Sequence, residues 1–138
     1  MADLKRFYFV CIGNSHRSQM AEAFARHHGG DRVEVRSGGS RPAGHVAPEA
    51  IEVMREKGID ISKAESKKVD WEWGRSCDLV LTMGCGDECP AFIGAKQRDW
   101  DLPDPKGQSV EFNRRVRDDV ERRVLALLEE FGVPVGKG

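Results

Sequence analysis

Residues 10–20 read VCIGNSHRSQM, and they stand between a short apolar run and a stretch of helical periodicity. The run Phe7-Tyr8-Phe9-Val10 suits a strand buried on both faces. Downstream, Met20, Ala23, Phe24 and His27 recur at helical spacing until Gly29-Gly30 stops the helix. Cys11 therefore falls at a strand's end and Arg17 at a helix's entrance. A helix N-terminus carries unpaired N–H groups and about half a positive charge, so it attracts anions. The same field favours a thiolate over a thiol.

Five residues separate Cys11 from Arg17, enough for successive N–H groups to converge on one tetrahedral oxyanion. Arg17 can then grip two of its oxygens in a bidentate fork. On this reading Ile12, Gly13, Asn14, Ser15, His16, Arg17 and Ser18 line the oxyanion. Gly13 is the position expected at positive φ. Asn14 ties the loop to itself through its side chain, and Ser18 reaches the Cys11 sulfur. His16 reads as an exposed imidazole on the rim. The competing reading is a buried cysteine before a helix capped by Ser15 or Ser18. A nucleotide P-loop is excluded by the missing Gly-Lys-Ser/Thr ending.

Working outward, Val33–Ser37 alternates like a strand and enters a Gly/Pro-rich loop, residues 38–47. Pro48 opens a second helix that carries Ile51 and Met54 inward and ends at Gly58. Residues 62–76 read as a short polar helix containing Trp71 and Trp73. Leu79–Met83 is a third strand and Lys96–Trp100 a fourth, followed by the turn Asp101-Leu102-Pro103-Asp104-Pro105. A long helix over 109–131 turns Val116, Val120, Val124, Leu127, Leu128 and Phe131 inward before Gly132 and Pro134. Trp71, Trp73 and Trp100 are expected to pack, and Cys77 to be a small buried residue. The run Arg114-Arg115-Val116-Arg117 reads as a solvated helix face.

Alternating strands and helices over 138 residues imply an α/β fold in one domain, residues 1–138, with a four-stranded parallel sheet flanked by helices on both faces. Ligands in such folds bind beyond the carboxyl ends of the strands. The loops 11–18, 84–90 and 101–107 share that end, and all the chemically suggestive residues fall in them. The net charge of −1 points to neither a nucleic-acid nor a membrane partner. No apolar run has the roughly 18 residues of a spanning helix and no signal-peptide pattern is present, so a cytoplasmic location is expected; the chain is also expected to be a monomer. Cys85 and Cys89 have three residues between them, a spacing zinc can use, but no second pair of Cys or His follows and no metal is expected.

The run CIGNSHRS resembles the signature loop of the low-molecular-weight protein tyrosine phosphatase superfamily, and Asp104-Pro105 in WDLPDPKG resembles its acid loop. The resemblance spans the chain from Phe7 to the terminal helix. It implies that Cys11 is the nucleophile, Arg17 the oxyanion clamp and Asp104, rather than neighbouring Asp101, the general acid. The loop TMGCGDECP adds Cys85 and Cys89 on the side of the sheet that holds Cys11. That resembles the thiol-coupled arsenate reductases of this superfamily, although the cysteines stand closer together than in the thioredoxin-coupled members. The implied reaction takes arsenate, with phosphate or sulfate as analogues, through a Cys11/Cys85/Cys89 relay. No tightly bound cofactor is implied, only an external reductant: thioredoxin, or a low-molecular-weight thiol with a glutaredoxin-like partner. In some relatives residues matching Asn14, Glu22 and Ser37 help hold a monovalent cation. The alternative is a low-molecular-weight phosphatase whose extra cysteines are regulatory.

Overall fold

The computed structural model describes residues 4–83 and 96–135. Its sheet is built on β1 (Lys5–Cys11), which pairs in parallel with β2 (Val33–Gly39) on one side and β3 (Leu79–Thr82) on the other. Strand β4 (Gln97–Asp99) adds to β3, giving the order β2-β1-β3-β4 with every pairing parallel. The chain thus moves one way from β1 to β2 and the other way to β3. The crevice at this reversal opens beyond the carboxyl ends of β1 and β3. Cys11 is the last residue of β1, and Met83 follows β3 directly.

Alternation along β1 sorts its side chains between two cores. Phe7, Phe9 and Cys11 face the larger one, built with helices α1 (Arg17–Gly29), α2 (Pro48–Arg55) and α4 (Val110–Glu130). Tyr8 and Val10 face a smaller one with Val80, Val69 and Cys77, against which Trp73 of α3 (Trp71–Arg75) packs. Helices do cover both faces, but unequally. In α4, Val116, Val120, Val124, Leu127 and Leu128 are buried, while Phe131 caps the helix half-buried with its ring edge-on to Phe7. Ser109 caps the other end by accepting from the Phe112 N–H at 3.1 Å.

Several sequence expectations are corrected. Residues 62–70 are not helical; Gly39 donates to the Lys67 carbonyl at 2.8 Å and accepts from the Val69 N–H at 3.0 Å. The segment follows the edge of β2, and Asp70 starts a single helical turn by accepting from the Trp73 N–H. Trp71 on that turn is exposed, whereas Trp73 stacks under the Arg36 guanidinium and Trp100 lies beside Phe9. Helix α1 buries Met20, Ala21, Phe24 and Ala25, with Ala23 only partly covered. In α2 the inward residues are Ala50, Val53 and Met54, with Ile51 only partly covered. Arg117 is not on a solvated face: it is buried between α2 and α4, for reasons of charge pairing described below. No helix among the described residues is long and apolar enough to cross a membrane.

Candidate active site

The loop after β1 turns its carbonyls outward. Those of Cys11, Ile12, Gly13 and Ser15 accept from the N–H groups of Ser40, Arg41, Ala43 and Ala47, at 2.9–3.2 Å. The Asn14 carbonyl accepts from Gln19 Nε2 at 3.1 Å. With every carbonyl of the loop occupied from outside, the N–H groups of Gly13, Ser15 and His16 find no acceptor among the described residues. Close approach of the 39–47 segment makes this possible. A Cβ on Gly39 would sit 2.5 Å from the Ile12 carbonyl oxygen and 3.0 Å from the Asn14 nitrogen, so only glycine fits there.

Positive φ falls on Asn14 (49°), not on Gly13 as expected. Its amide explains why: Nδ2 donates to Ser18 Oγ at 2.8 Å, and Oδ1 accepts from Gln19 Nε2 and from the Lys67 N–H. An asparagine bonded through both its amide nitrogen and its amide oxygen can hold the left-handed conformation that glycine would otherwise supply. The Cys11 sulfur, nearly buried, lies 2.8 Å from Ser18 Oγ and accepts the Asn14 N–H at 3.1 Å. Both contacts stabilise negative charge on sulfur.

Arg17 is buried, and one of its terminal nitrogens, Nη1, donates to the carbonyls of Met83 (2.5 Å) and Leu102 (2.9 Å). It thereby ties the cradle to the end of β3 and to the acid loop. Its Nε is buried with no partner among the described residues, and no carboxylate among them pairs with it. Helix α1 begins without a side-chain cap and without an acidic residue in its first turn. An unneutralised guanidinium, free loop amides and an uncapped helix all face the same space.

That space is a cleft of about 350 Å³ walled by Cys11, Gly13, Ser15, His16, Arg17 and Asp104, with Arg41 and Lys106 at its mouth. Asp104 is exposed there and its Oδ1 accepts the Lys106 N–H at 3.0 Å. Asn113 anchors the acid loop to α4 by donating to the Pro105 and Ser109 carbonyls. Asp101 is not among the lining residues. Cys85 and Cys89 lie outside the described residues. Cys77 belongs to the opposite core, where burial pushes its thiol pKa up to about 12 and its sulfur donates to the Trp73 carbonyl.

His16 corrects another expectation. It is 5% exposed rather than on the rim, with Nε2 3.3 Å from Glu49 Oε2 and Nδ1 3.4 Å from Ser15 Oγ. Glu49, Gln19, Gly39 and Asn113 carry no motif of their own, and the sequence did not single them out. Of Asn14, Glu22 and Ser37, the last two meet, whereas the Asn14 side chain bonds to Ser18, Gln19 and the Lys67 N–H. Ser37 Oγ donates to Glu22, and the Lys67 ammonium lies 3.6 Å from Glu22 Oε1 and 3.1 Å from the Glu65 carbonyl.

A buried sulfur beneath a loop of unpaired amides, at a topological switch point, is an arrangement suited to holding an oxyanion in an α/β protein. Residues 6–134 match the family model described as low molecular weight phosphotyrosine protein phosphatase, and the chain belongs to that family. A putative arsenate reductase of Halobacterium salinarum is 44% identical over 131 residues, covering 91% of this chain and 92% of the relative. An arsenate reductase solved in its phosphate binding state is 40% identical, with a TM-score of 0.83, over 92% of this chain and 98% of that one. A thioredoxin-dependent arsenate reductase of Corynebacterium glutamicum is 34% identical with a TM-score of 0.79; the match covers 94% of this chain and 62% of that longer one.

Proposed function

We propose that this protein reduces arsenate to arsenite, with Cys11 as nucleophile and Cys85 and Cys89 as the relay. The observation that carries the reading is the buried Arg17, which pairs with no carboxylate among the described residues and shares its cleft with Cys11. A buried charge without a counter-charge is costly, and a tetrahedral dianion held between Arg17 and the loop amides supplies one. The names of the similar proteins support arsenate as that anion, and the two extra cysteines support its reduction rather than hydrolysis.

In the proposed sequence the Cys11 thiolate attacks arsenic while Asp104 protonates the departing hydroxyl, which leaves as water. Ser18 and the Asn14 N–H hold the thiolate before attack. The Cys85 thiolate then attacks the Cys11 sulfur. A disulfide bond forms, the sulfur–arsenic bond breaks, and its electron pair stays on arsenic, which departs as arsenite. Cys89 next attacks Cys85, releasing Cys11 as a thiolate and leaving a Cys85–Cys89 disulfide. An external dithiol of the thioredoxin kind, or a low-molecular-weight thiol with its glutaredoxin-like partner, returns the pair to thiols. No bound cofactor enters any step. Residual hydrolysis of aryl phosphates is expected from the same cradle and acid.

The test mixes fully reduced protein with arsenate alone and counts thiols. Loss of two thiols per chain with one arsenite released is expected, and Cys85→Ser should abolish that loss. Unchanged thiols together with rapid phosphate release from an aryl phosphate would favour the hydrolytic alternative. Arsenite formed only after a low-molecular-weight thiol is added would remove the internal relay from the scheme.

A further inference from the structure

Nothing in the proposed reaction uses His16, although burying an imidazole in an anion site has a cost. It occupies the N-cap of α1 with φ −125° and ψ −90°, and makes no capping bond to the helix it precedes. Its ring instead joins the cleft wall between Ser15 and Arg17, with the Glu49 carboxylate behind it. A merely structural pin between loop and α2 would not have to face the cleft.

The charges around the ring are unequal. Burial, the dominant influence, lowers the His16 pKa and Arg17 adds to that, while Glu49 and Asp104 pull it back up. The Glu49 carboxyl is held below its ordinary range, first by its own backbone N–H and then by His16. Burial thus favours the neutral imidazole, and the contacts around Glu49 favour its ionised carboxylate. A doubly charged anion beside Arg17 changes that balance, because it adds two negative charges within the same low-dielectric space.

We propose that His16 is a proton-operated second cation of the cradle: the imidazole takes up one proton from solvent when a tetrahedral dianion enters, and releases it when the site empties. The proposal rests on the reading of the cradle as an oxyanion site. It gives Glu49 a task, holding the imidazolium, and it links binding to charge. A substrate that arrives as a dianion recruits the second cation. A product that leaves as a neutral acid, as arsenite does near neutral pH, no longer holds the proton in place.

Sulfate is the probe, since it stays a dianion throughout the range of interest. Among the described residues, the titratable and charged groups that share the cleft with His16 or contact it are Cys11 from β1, Arg17 from α1, Arg41 from the loop after β2, Glu49 from α2, and Asp104 and Lys106 from the acid loop. Arg17 and Arg41 keep their charge. The thiol and the acid-loop carboxylate are removed in a Cys11→Ser/Asp104→Asn background, in which sulfate is titrated by calorimetry from about pH 5.5 to about 8.5. The dissociation constant should fall by up to about tenfold per pH unit as pH drops. Two buffers of different ionisation enthalpy should report uptake approaching one proton per sulfate. Adding His16→Gln should flatten the profile and abolish the uptake. Adding Glu49→Gln should keep the uptake but move it to lower pH, and this arm decides the matter if the His16 variant does not fold. Sulfate binding with the same slope in His16→Gln, or a window that Glu49→Gln leaves unmoved, overturns the proposal. Absence of sulfate binding in every variant overturns the cradle with it, whereas failure of the thiol count with this profile intact would overturn only the reductase reading.

Discussion

Two arginines in this molecule are almost equally buried, Arg17 at 7% exposure and Arg117 at 8%, yet their surroundings are opposite. Arg117 bridges α4 and α2: it pairs with Glu56 at 2.7 Å and Asp118 at 2.9 Å, and donates to the Val53 carbonyl at 2.9 Å. Its charge is neutralised where it stands. Arg17 meets only two carbonyls through one nitrogen and leaves Nε without a protein partner among the described residues. A buried guanidinium enclosed by carboxylates is scaffold, because its desolvation is offset within the fold. One that meets no carboxylate among the described residues is where the proposed anion would supply the missing charge. The contrast separates site from scaffold without reference to any motif.

Removing each charge in turn should therefore damage different properties. Arg17→Met should lower kcat/KM for arsenate on the order of 10²–10³-fold, the loss typical of a missing oxyanion donor. Arg17→Lys keeps a charge but not the fork, and steady-state kinetics should show only partial recovery. Arg117→Met should leave kcat unchanged and cost about 1–3 kcal/mol of stability in urea, from lost hydrogen bonds of a charged group. Equal losses of turnover in the two variants would break the distinction. The smallest effect concerns Glu56, whose carboxyl is held down to about 2 by hydrogen bonds first from Arg114 and then from Arg117. Its folded-state pKa lies below the unfolded one, so its contribution is complete above the ordinary value of 4.5 and fades as pH falls toward about 2. Urea midpoints measured down that range should fall less steeply in Glu56→Gln than in the unmodified protein.

The same contrast shows what a sequence reader can and cannot see. Strand β1 and the helix after it follow from local patterns, an apolar run and a helical period, which put Cys11 and Arg17 at one end of the sheet; Asp104, which lines the same cleft, was legible through the resemblance of its Asp-Pro turn to the family's acid loop. The solvated-face reading of Arg117 fails because its neighbours in sequence are charged, while the partner it pairs with, Glu56, stands at the C-cap of α2. His16 misled for the same reason, since Glu49 reaches it across the loop after β2. Residues 62–70 have a polar, helix-compatible composition, and only the edge of β2 draws them out into an extended path. Positive φ at Asn14 rather than Gly13 is held by three partners of the Asn14 amide, Ser18, Gln19 and the Lys67 N–H, and the last lies far away in sequence.

The most direct measurement is the alkylation rate of Cys11 by iodoacetamide with increasing sulfate, followed by mass spectrometry of the Cys11 peptide. If a tetrahedral anion sits between Arg17 and the loop amides over the sulfur, sulfate should slow Cys11 modification saturably in the unmodified protein and lose that protection in Arg17→Met. Cys11 alkylation that is indifferent to sulfate, or equally protected without the Arg17 guanidinium, would contradict the oxyanion cradle itself.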